Sequence, residues 1–314
     1  MSKKSGKKKN TVGIIGLGIM GSAFAGHLRA ARFAVVGYDV AGARLAALGK
    51  LGGIAAASPA AVAAAAPVII TSLPSVSAFE AALFGKDGIA AGTRRGAIVV
   101  ETSTLPLAVK ESARRRLEKI GATLLDCPIS GTGAQAAAKD IVIYASGGRG
   151  ACTRCGAIFA GFARDTYYCG AFGLGSKLKY IANLLVTIHN LSAAEAFVLA
   201  ERAGVDAGLM YRVIKDGAGS SRMFEVRGPL MIKRRYLPAT MKVDVYQKDI
   251  AIIKAFAAAV RCPTPLFTLS KRFYDAAMES GYAQHDTAVV HAVLRRLGSA
   301  GTTRSKRKTT LKRG

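Results

Sequence analysis

A glycine-rich turn near residue 16 constrains the fold more strongly than any other feature of the chain. Gly16–Gly21 reads Gly-Leu-Gly-Ile-Met-Gly, which is the pattern G-x-G-x-x-G. The apolar run Thr11–Gly16 leads into this turn, and Met20–Ala31 is apolar at helical spacing. Because a strand precedes the glycines and a helix follows them, the pattern predicts the first strand–turn–helix unit of an α/β domain.

Strand-like and helical segments then alternate through the first half of the chain. The strand-like runs are Ala34–Tyr38, Pro67–Leu73, Ala97–Glu101, Thr123–Asp126 and Ile141–Ser146, and two of the helical segments are Ala41–Leu51 and Leu107–Ile120. Such alternation is typical of a parallel sheet with helices on both faces. The sequence therefore predicts a Rossmann-type domain over residues 11–175.

The second half of the chain has a different pattern. Ser176–Ala203 is one helical stretch without proline or glycine, and Gly204 marks its end. Further helical segments follow near residues 207–215, 243–260 and 266–280. The predicted fold class is α/β: an N-terminal Rossmann-type domain with a parallel sheet, then an all-helical domain over residues 176–298, joined by a long interdomain helix.

The uncharged, alanine-rich stretch Leu51–Phe79 is long enough to be compared with a membrane span. It contains Pro59, Pro67 and Pro74, and alanine is barely hydrophobic enough to hold a helix in a bilayer. We therefore expect a helix, a turn and a buried strand in this stretch, and no transmembrane segment.

The chain is strongly basic, and much of its charge lies at its two ends. Its 314 residues carry 45 Lys and Arg against 19 Asp and Glu, a formal net charge of +26, while a hydrophobic content of 51% excludes disorder of the whole chain. Residues 1–10 carry +5 and residues 299–314 carry +6, and we expect both to be disordered basic tails. Residues 11–298 keep +15, which favours anionic partners: acidic metabolites, nucleotides, nucleic acid or an anionic surface.

The cysteines indicate a reducing compartment. There are five, an odd number, and no secretory apolar segment follows the basic start, so we expect reduced thiols and a cytoplasmic protein. Cys152 and Cys155 form one C-x-x-C without a second pair or a nearby histidine, and no other cluster has metal-ligand spacing. No metal site is predicted.

The glycine turn has the features of a nucleotide site. Gly16 permits the tight turn, Gly18 lets the backbone approach a pyrophosphate, and Gly21 lets the helix pack closely on the strand. Amides at the start of the helix add donors and a partial positive charge. Asp39 ends the second strand, where a carboxylate can accept the ribose hydroxyls of adenosine and repel a 2′-phosphate. This favours NAD and leaves NADP open, because Arg44 is close in sequence.

Two other segments carry candidate chemistry. Asp126–Gly133 follows a strand, and its hydroxyls and backbone amides can cradle a carboxylate; an ordinary glycine-rich loop is the alternative. Lys179 and Asn183 lie four residues apart on the long helix and share a face. Because neighbours such as Tyr180 and Leu184 are apolar, the neutral lysine needed for proton transfer is favoured, with a solvated lysine as the alternative.

Six short motifs occur in one order along roughly residues 11–290. They are G-L-G-I-M-G at 16–21, Leu73-Pro74, Glu101-Thr102-Ser103-Thr104, Asp126-x-Pro128-x-Ser130-Gly131, Gly173-x-Gly175-x-x-x-Lys179-x-x-x-Asn183 and Lys248-Asp249. Each is weak alone, but together they resemble the β-hydroxyacid dehydrogenase family. Its members include 3-hydroxyisobutyrate dehydrogenase, tartronate semialdehyde reductase and 6-phosphogluconate dehydrogenase.

The resemblance implies an activity and a role for each matching residue. The activity is hydride transfer between a nicotinamide cofactor and a small 3-hydroxy acid or semialdehyde, of the 3-hydroxyisobutyrate or 2-hydroxy-3-oxopropionate type. Lys179 matches the catalytic general acid and base, and Asn183 the asparagine that holds the substrate hydroxyl. Ser130 and Gly131 match the loop that binds the substrate carboxylate, with Thr132 as a further contact. The cofactor-binding residues are Gly16, Gly18, Ile19, Met20, Gly21, Asp39, Leu73, Pro74, Thr104 and Lys248.

Departures from the family pattern leave two other functions open. Thr132 stands where the family often has a second glycine, and Ala182 stands where it often has a first asparagine. Imine-reducing relatives usually lack the lysine, so Lys179 favours carbonyl chemistry over imine reduction. A basic nucleic-acid-associated protein on a Rossmann scaffold is the other alternative, from charge alone. Similar proteins are homodimers or homotetramers, and we expect the same of this chain.

Overall fold

The computed structural model describes residues 10–297, so both predicted basic tails lie outside the described residues except for Asn10. The strands are β1 (Thr11–Ile15), β2 (Ala34–Tyr38), β3 (Ile54–Ala55), β4 (Val68–Thr71), β5 (Ile98–Glu101), β6 (Thr123–Asp126), β7 (Ile129–Ser130), β8 (Val142–Ser146) and β9 (Asp165–Gly170). Helices of the first half are α1 (Ile19–Ala30), α2 (Gly42–Lys50), α3 (Pro59–Ala65), α4 (Val76–Phe84), α5 (Ile89–Gly92), α6 (Leu107–Lys119), α7 (Gly133–Ala137) and α8 (Arg149–Phe162). The second half contains α9 (Leu174–Arg202), α10 (Ala207–Lys215), α11 (Arg222–Ile232), α12 (Val243–Ala259) and α13 (Pro265–Glu279).

The strands form one mostly parallel sheet. Its order is β3-β2-β1-β4-β5-β6-β8-β7, with β9 also paired to β8. All neighbouring strands run parallel except that β8 is antiparallel to both β6 and β7. The predicted parallel sheet is confirmed for its main part, and the carboxyl ends of β1, β2, β4, β5 and β6 therefore lie along the same edge.

Helices cover both faces of the sheet, as predicted. Adjacent residues of a strand point to opposite faces, so Ile70 packs in the cluster with α1 and α8 while Ile69 packs in the cluster with α3, α4 and α6. On the first face the rings of Phe24 and Phe162 lie 4.5 Å apart between centroids. This explains why the strands read as continuous apolar runs: both of their faces are buried.

In the second half of the chain, the regular elements of the described residues are helices, apart from one isolated bridge between Lys242 and Asp286. Its core combines aliphatic side chains with aromatic ones such as Phe197, Phe224 and Tyr274. Packing divides the described chain into two compact units, the first ending at Lys179 and the second beginning at Tyr180. Since α9 runs through this division, the boundary predicted near residue 175 stays a prediction.

Helix α9 is the one helix in the described part of the chain that is long and apolar enough to cross a membrane, by length and composition alone. Its buried polar side chains nevertheless have protein partners. Thr187 Oγ1 donates to the carbonyl of Asn183 at 2.8 Å, and Asn190 Nδ2 donates to the hydroxyl of Tyr274 at 2.9 Å. Such contacts are those of a helix within a protein core. The stretch Leu51–Phe79 contains the predicted helix (α3) and buried strand (β4), and in addition the short strand β3 and the start of α4, which were not predicted.

Candidate active site

The glycine turn lies between β1 and α1 with the geometry that the sequence predicts. Gly16 has φ +89°, and a Cβ there would lie 2.1 Å from the carbonyl oxygen of Ser72. A Cβ at Gly21 would lie 1.9 Å from the oxygen of Gly16, so the helix can start only because both positions are glycine. The turn therefore rests directly on the end of β4.

The start of α1 fits the diphosphate of a dinucleotide. Gly18 is the N-cap and no side chain caps the helix, whose first turn contains no acidic residue. A Cβ at Gly18 would meet nothing closer than Arg44 Nη1, at 3.9 Å. Free amide donors, a positive helix end and open space above the backbone are what a phosphate group requires.

Asp39 is buried at the end of β2 and braces the glycine turn. Its Oδ2 accepts the Leu17 amide at 2.7 Å, and its Oδ1 accepts the Ala41 amide at 2.9 Å. Arg44 Nη1 lies 3.2 Å from Oδ2. Burial raises the pKa of Asp39, but the two amides and the Arg44 guanidinium outweigh it and leave the pKa below its usual value. The carboxylate is therefore ionised and already bonded on both oxygens.

The other predicted cofactor residues of the first unit lie at the same sheet edge. Leu73 and Pro74 follow β4, and Thr104 follows the neighbouring β5. The amide of Leu73 donates to Ser103 Oγ at 2.8 Å, which links the ends of the two strands. Leu73 Cδ2 would also lie 3.2 Å from a Cβ at Gly16. The first unit thus brings these residues together with the glycine turn.

The predicted carboxylate loop follows β6 at this edge. Ser130 ends the short strand β7 and pairs with Val142 of β8. Gly131 follows it with φ +141°. Thr132 is the N-cap of α7: its amide donates to Gln135 Oε1 at 3.0 Å, and its hydroxyl accepts the Gln135 amide at 3.4 Å. The hydroxyl predicted as a substrate contact is therefore used to start a helix.

Three buried charged side chains lie behind this loop. Glu101 and Asp126 are register partners at the ends of β5 and β6, and both are fully buried. Lys110 of α6 is equally buried and places Nζ 2.8 Å from Asp126 Oδ1. Burial raises the pKa of Glu101, although Lys110 and hydrogen bonds from Thr71 and Ser103 oppose the rise. Lys110 is paired directly with Asp126 and also acts electrostatically on Glu101.

Lys179 lies near the start of α9 and is partly buried. Asn183 follows it by four residues in the same continuous helix, so the two side chains share a face, as the spacing predicts. The neighbouring positions Leu178 and Ile181 are exposed, at 43% and 52%. Lys177, two residues before Lys179 in the same helix, is exposed as well.

Asn183 is tied to α12 within the second unit. Its Nδ2 donates to Asp249 Oδ2 at 2.9 Å, and both residues are buried. Its backbone carbonyl accepts the hydroxyl of Tyr246 at 2.9 Å. The neighbouring Lys248, predicted to contact the cofactor, is about one-third exposed and places Nζ 3.7 Å from Asp249 Oδ1. The second unit therefore brings Asn183, Lys248 and Asp249 together.

Sequence reasoning missed the roles of Lys110 and Asp249 in this arrangement. One signal for Lys110 was available: it lies at helical spacing with Ala113 and Leu117, on the face of α6 that turns inward. A lysine on an apolar face indicates a buried ion pair, but only the fold identifies its partner.

The chain matches two family models over nearly its whole described length. Residues 11–170 match the NAD-binding domain of 6-phosphogluconate dehydrogenase. Residues 173–294 match the model described as the NAD-binding domain of NADP-dependent 3-hydroxyisobutyrate dehydrogenase. Together they bear out the resemblance drawn from the six motifs.

Similar proteins give the same family. An L-threonate dehydrogenase from Cupriavidus necator is 35% identical over 280 residues, which are 89% of this chain and 94% of the relative. A crystal structure of 3-hydroxyisobutyrate dehydrogenase from Salmonella typhimurium superposes with a TM-score of 0.82 at 31% identity, over 90% of this chain and 99% of that one. An imine reductase from Streptomyces aurantiacus, at 20% identity over 90% of this chain and 99% of that one, has a TM-score of 0.61 and shares the fold alone.

Motifs, fold and relatives agree on the class of chemistry. The chain belongs to the β-hydroxyacid dehydrogenase family and is an oxidoreductase that acts on small hydroxy acids with a nicotinamide cofactor.

Proposed function

We propose that this enzyme oxidises a short, polyhydroxylated carboxylic acid such as L-threonate with NAD, using Lys179 as general base and Asn183 to orient the reacting hydroxyl. The observation that carries the mechanism is the placement of these two side chains on one face of α9, with the Asn183 amide held by Asp249. Similarity to L-threonate dehydrogenase supports the first choice of substrate. A 3-hydroxy acid such as 3-hydroxyisobutyrate is our second choice of substrate.

Each proposed role follows from the chemistry of the side chain. Neutral Lys179 accepts the proton of the substrate hydroxyl, and its ammonium form returns that proton when the carbonyl is reduced. Asn183 holds the same oxygen by a hydrogen bond, which reduces the orientational freedom that the reaction must otherwise overcome. Ser130 and the Gly131 amide bind the carboxylate. Thr132 contributes by capping α7 and so shaping the loop.

A bound nicotinamide supplies the hydride acceptor for the carbinol carbon. The residues proposed to hold the dinucleotide are those of the glycine turn, with Ile19 and Met20 in the first turn of α1. Leu73, Pro74 and Thr104 lie at neighbouring strand ends, and Lys248 is the proposed contact from α12. Apart from Lys248, these residues all lie at the end of a strand or the start of a helix, where backbone amide donors are exposed.

NAD is proposed over NADP because of the charge at the end of β2. Asp39 is ionised and buried there, and a 2′-phosphate next to it would be repelled. Arg44, the nearest cation, is already paired with Asp39, which reduces its attraction for a phosphate. We also infer a cytoplasmic enzyme with reduced thiols, assembled as a homodimer or homotetramer.

A substrate panel tests the proposal. The enzyme would be assayed with L-threonate, 3-hydroxyisobutyrate, tartronate semialdehyde and a cyclic imine, each with NAD(H) and NADP(H), by absorbance of the reduced cofactor. We expect the highest kcat/KM with L-threonate and NAD. Turnover of the imine without turnover of any hydroxy acid would refute the carbonyl chemistry, and a large preference for NADP would refute the role of Asp39.

A further inference from the structure

The start of α9 lies directly against the backbone of the sheet. A Cβ at Gly175 would lie 2.4 Å from the carbonyl oxygen of Tyr144 and 2.8 Å from that of Asp126. It would also lie 3.1 Å from Pro128 Cδ. Only glycine allows this approach, so the first turn of α9 is placed with reference to β6 and β8.

Side chains from the sheet take the place of a cap at this helix start. Ser146 Oγ accepts the Gly175 amide at 3.0 Å. Asp126 accepts the Ser176 amide on Oδ2 at 2.8 Å and the Ser176 hydroxyl on Oδ1 at 2.7 Å. Ser146 Oγ also lies 3.2 Å from Asp126 Oδ2 and donates to the Asp126 carbonyl at 2.9 Å. The helix is thus bonded to one carboxylate through both its backbone and its side chain.

Lys110 makes it possible for this carboxylate to be buried. Its Nζ lies 2.8 Å from Asp126 Oδ1 and 2.7 Å from the carbonyl oxygen of Ser103. A buried carboxylate with a cation and several donors can hold its geometry rigidly, because each oxygen has fixed partners. The three side chains Lys110, Asp126 and Ser176 therefore form one anchor between the sheet and α9.

Asp126 connects the carboxylate loop at Ser130 with the start of α9, which carries Lys179, and the proposed function assigns a role to each. Its main chain leads through residues 127–129 into the carboxylate loop at Ser130, and its side chain holds Ser176, three residues before Lys179. Three residues are about one helical turn, so a tilt of the first turn moves Lys179 directly.

We propose that Asp126, through Ser176, is a positioning residue that sets Lys179 relative to the carboxylate loop. This inference rests on the proposed role of Lys179. Loss of the anchor displaces the lysine from the hydroxyl while leaving the glycine turn intact, so kcat falls and binding of NAD does not change.

Ser176→Ala is the mildest test, because it removes the hydroxyl contact and keeps the amide contact. We expect kcat with L-threonate (or 3-hydroxyisobutyrate, if the panel prefers it) to fall about tenfold or more, with the KM for NAD unchanged. Ser270→Ala is the matched control: Ser270 is equally buried, but its hydroxyl donates to Leu266 within its own helix. The control should keep the wild-type kcat.

A double-mutant cycle separates positioning from general destabilisation. If Ser176 acts through Lys179, adding Ser176→Ala to Lys179→Ala should change the residual kcat by less than about twofold. An equal loss in both backgrounds would overturn the inference. Asp126→Asn in a folded protein should repeat the loss of kcat, and wild-type kcat in either anchor variant would also overturn the inference.

The outcome for Lys179→Ala alone distinguishes this inference from the proposed function. Normal turnover in that variant refutes the role of the lysine and the inference with it. Reduced turnover in Lys179→Ala together with normal turnover in Ser176→Ala refutes the inference only. Gly175→Ala, whose Cβ forces the helix away from β8, should lower kcat in the same way as Ser176→Ala.

Discussion

Asp249 holds the side-chain amide of Asn183 by a hydrogen bond of 2.9 Å between Nδ2 and Oδ2. The donor belongs to α9 and the acceptor to α12, and both side chains are buried. Because a carboxylate only accepts hydrogen bonds, it must face the nitrogen of the amide rather than its oxygen. Asp249 therefore fixes the orientation of the Asn183 side-chain amide, with Nδ2 toward Asp249.

This contact predicts that Asp249→Asn impairs turnover. An asparagine at 249 can present either a donor or an acceptor, so the orientation of Asn183 is no longer imposed and a charge-assisted hydrogen bond is lost. We expect kcat to fall by about tenfold or more, which is the scale of one hydrogen bond to a charged group. Steady-state kinetics would measure it, with Asp216→Asn, at a side chain 79% exposed, as the control. An unchanged kcat would show that Asn183 does not need this partner.

Lys179→Ala should lower turnover by about 10² or more, because a general acid and base contributes on that scale. Binding of NAD, followed by fluorescence or calorimetric titration, should remain normal, since Lys179 lies outside the glycine turn. Lys177→Ala provides the control: Lys177 is an exposed lysine on the same turn of α9. If the two variants turn over alike, Lys179 is not the acid–base group.

The buried ion pair between Lys110 and Asp126 predicts that substituting Lys110 destabilises the protein far more than substituting Arg114 of the same helix. Lys110→Met leaves Asp126 as an unpaired buried charge and should cost about 3–5 kcal/mol of the free energy of unfolding. Arg114→Ala removes a partly exposed pair with Glu118 on the same helix and a contact with the Phe172 ring at 5.5 Å, and should cost only about 1 kcal/mol. Urea unfolding followed by circular dichroism measures both. Similar losses in the two variants would mean that the Lys110 pair is solvated.

His291 predicts a loss of stability in mild acid. Burial lowers its pKa from 6.5 to about 4, with Glu201 opposing the shift and Arg295 and Arg234 adding to it. Its Nδ1 lies 2.8 Å from the hydroxyl of Tyr236, which fits a neutral ring that accepts this bond.

Between pH 6.5 and about 4 the unfolded chain therefore binds a proton at residue 291 that the folded chain does not. The contribution is complete above pH 6.5 and is lost as the pH falls, by up to roughly 3 kcal/mol near pH 4. His291→Gln, which keeps an acceptor but does not titrate, should flatten the dependence of the urea midpoint on pH in this window. A wild-type slope in His291→Gln would place the titration elsewhere.

Arg44 predicts how the enzyme treats NADP. It is the cation beside Asp39, and its side chain is 53% exposed, so it is the group best placed to meet a 2′-phosphate. Arg44→Ala should lower kcat/KM for NADP about tenfold more than for NAD, the scale of one charged hydrogen bond. Lys50→Ala, at the exposed end of α2, should leave the ratio unchanged. Equal losses for the two cofactors would assign Arg44 to bracing the turn instead.

Regular elements were predictable where the local pattern is strong. The strands Ala34–Tyr38 and Thr123–Asp126 were predicted with the bounds that the structure has, and the long helix was predicted within two residues at its start and one at its end. Both signals are local, since burial on two faces gives an apolar run and the absence of proline and glycine permits a long helix. The exposed strand β9 and the two-residue strand β7 have no such signal and were missed.

Local sequence determined the glycine turn, the alternation of strands and helices and the candidate pair Lys179–Asn183, because each depends on residues within a few positions of one another. Tertiary structure decided the partners. Asp126 lies 50 positions from Ser176, and Asn183 lies 66 positions from Asp249, yet both pairs are hydrogen-bonded. Hydrogen bonds act over about 3 Å, and only the folded chain brings such distant residues within that range.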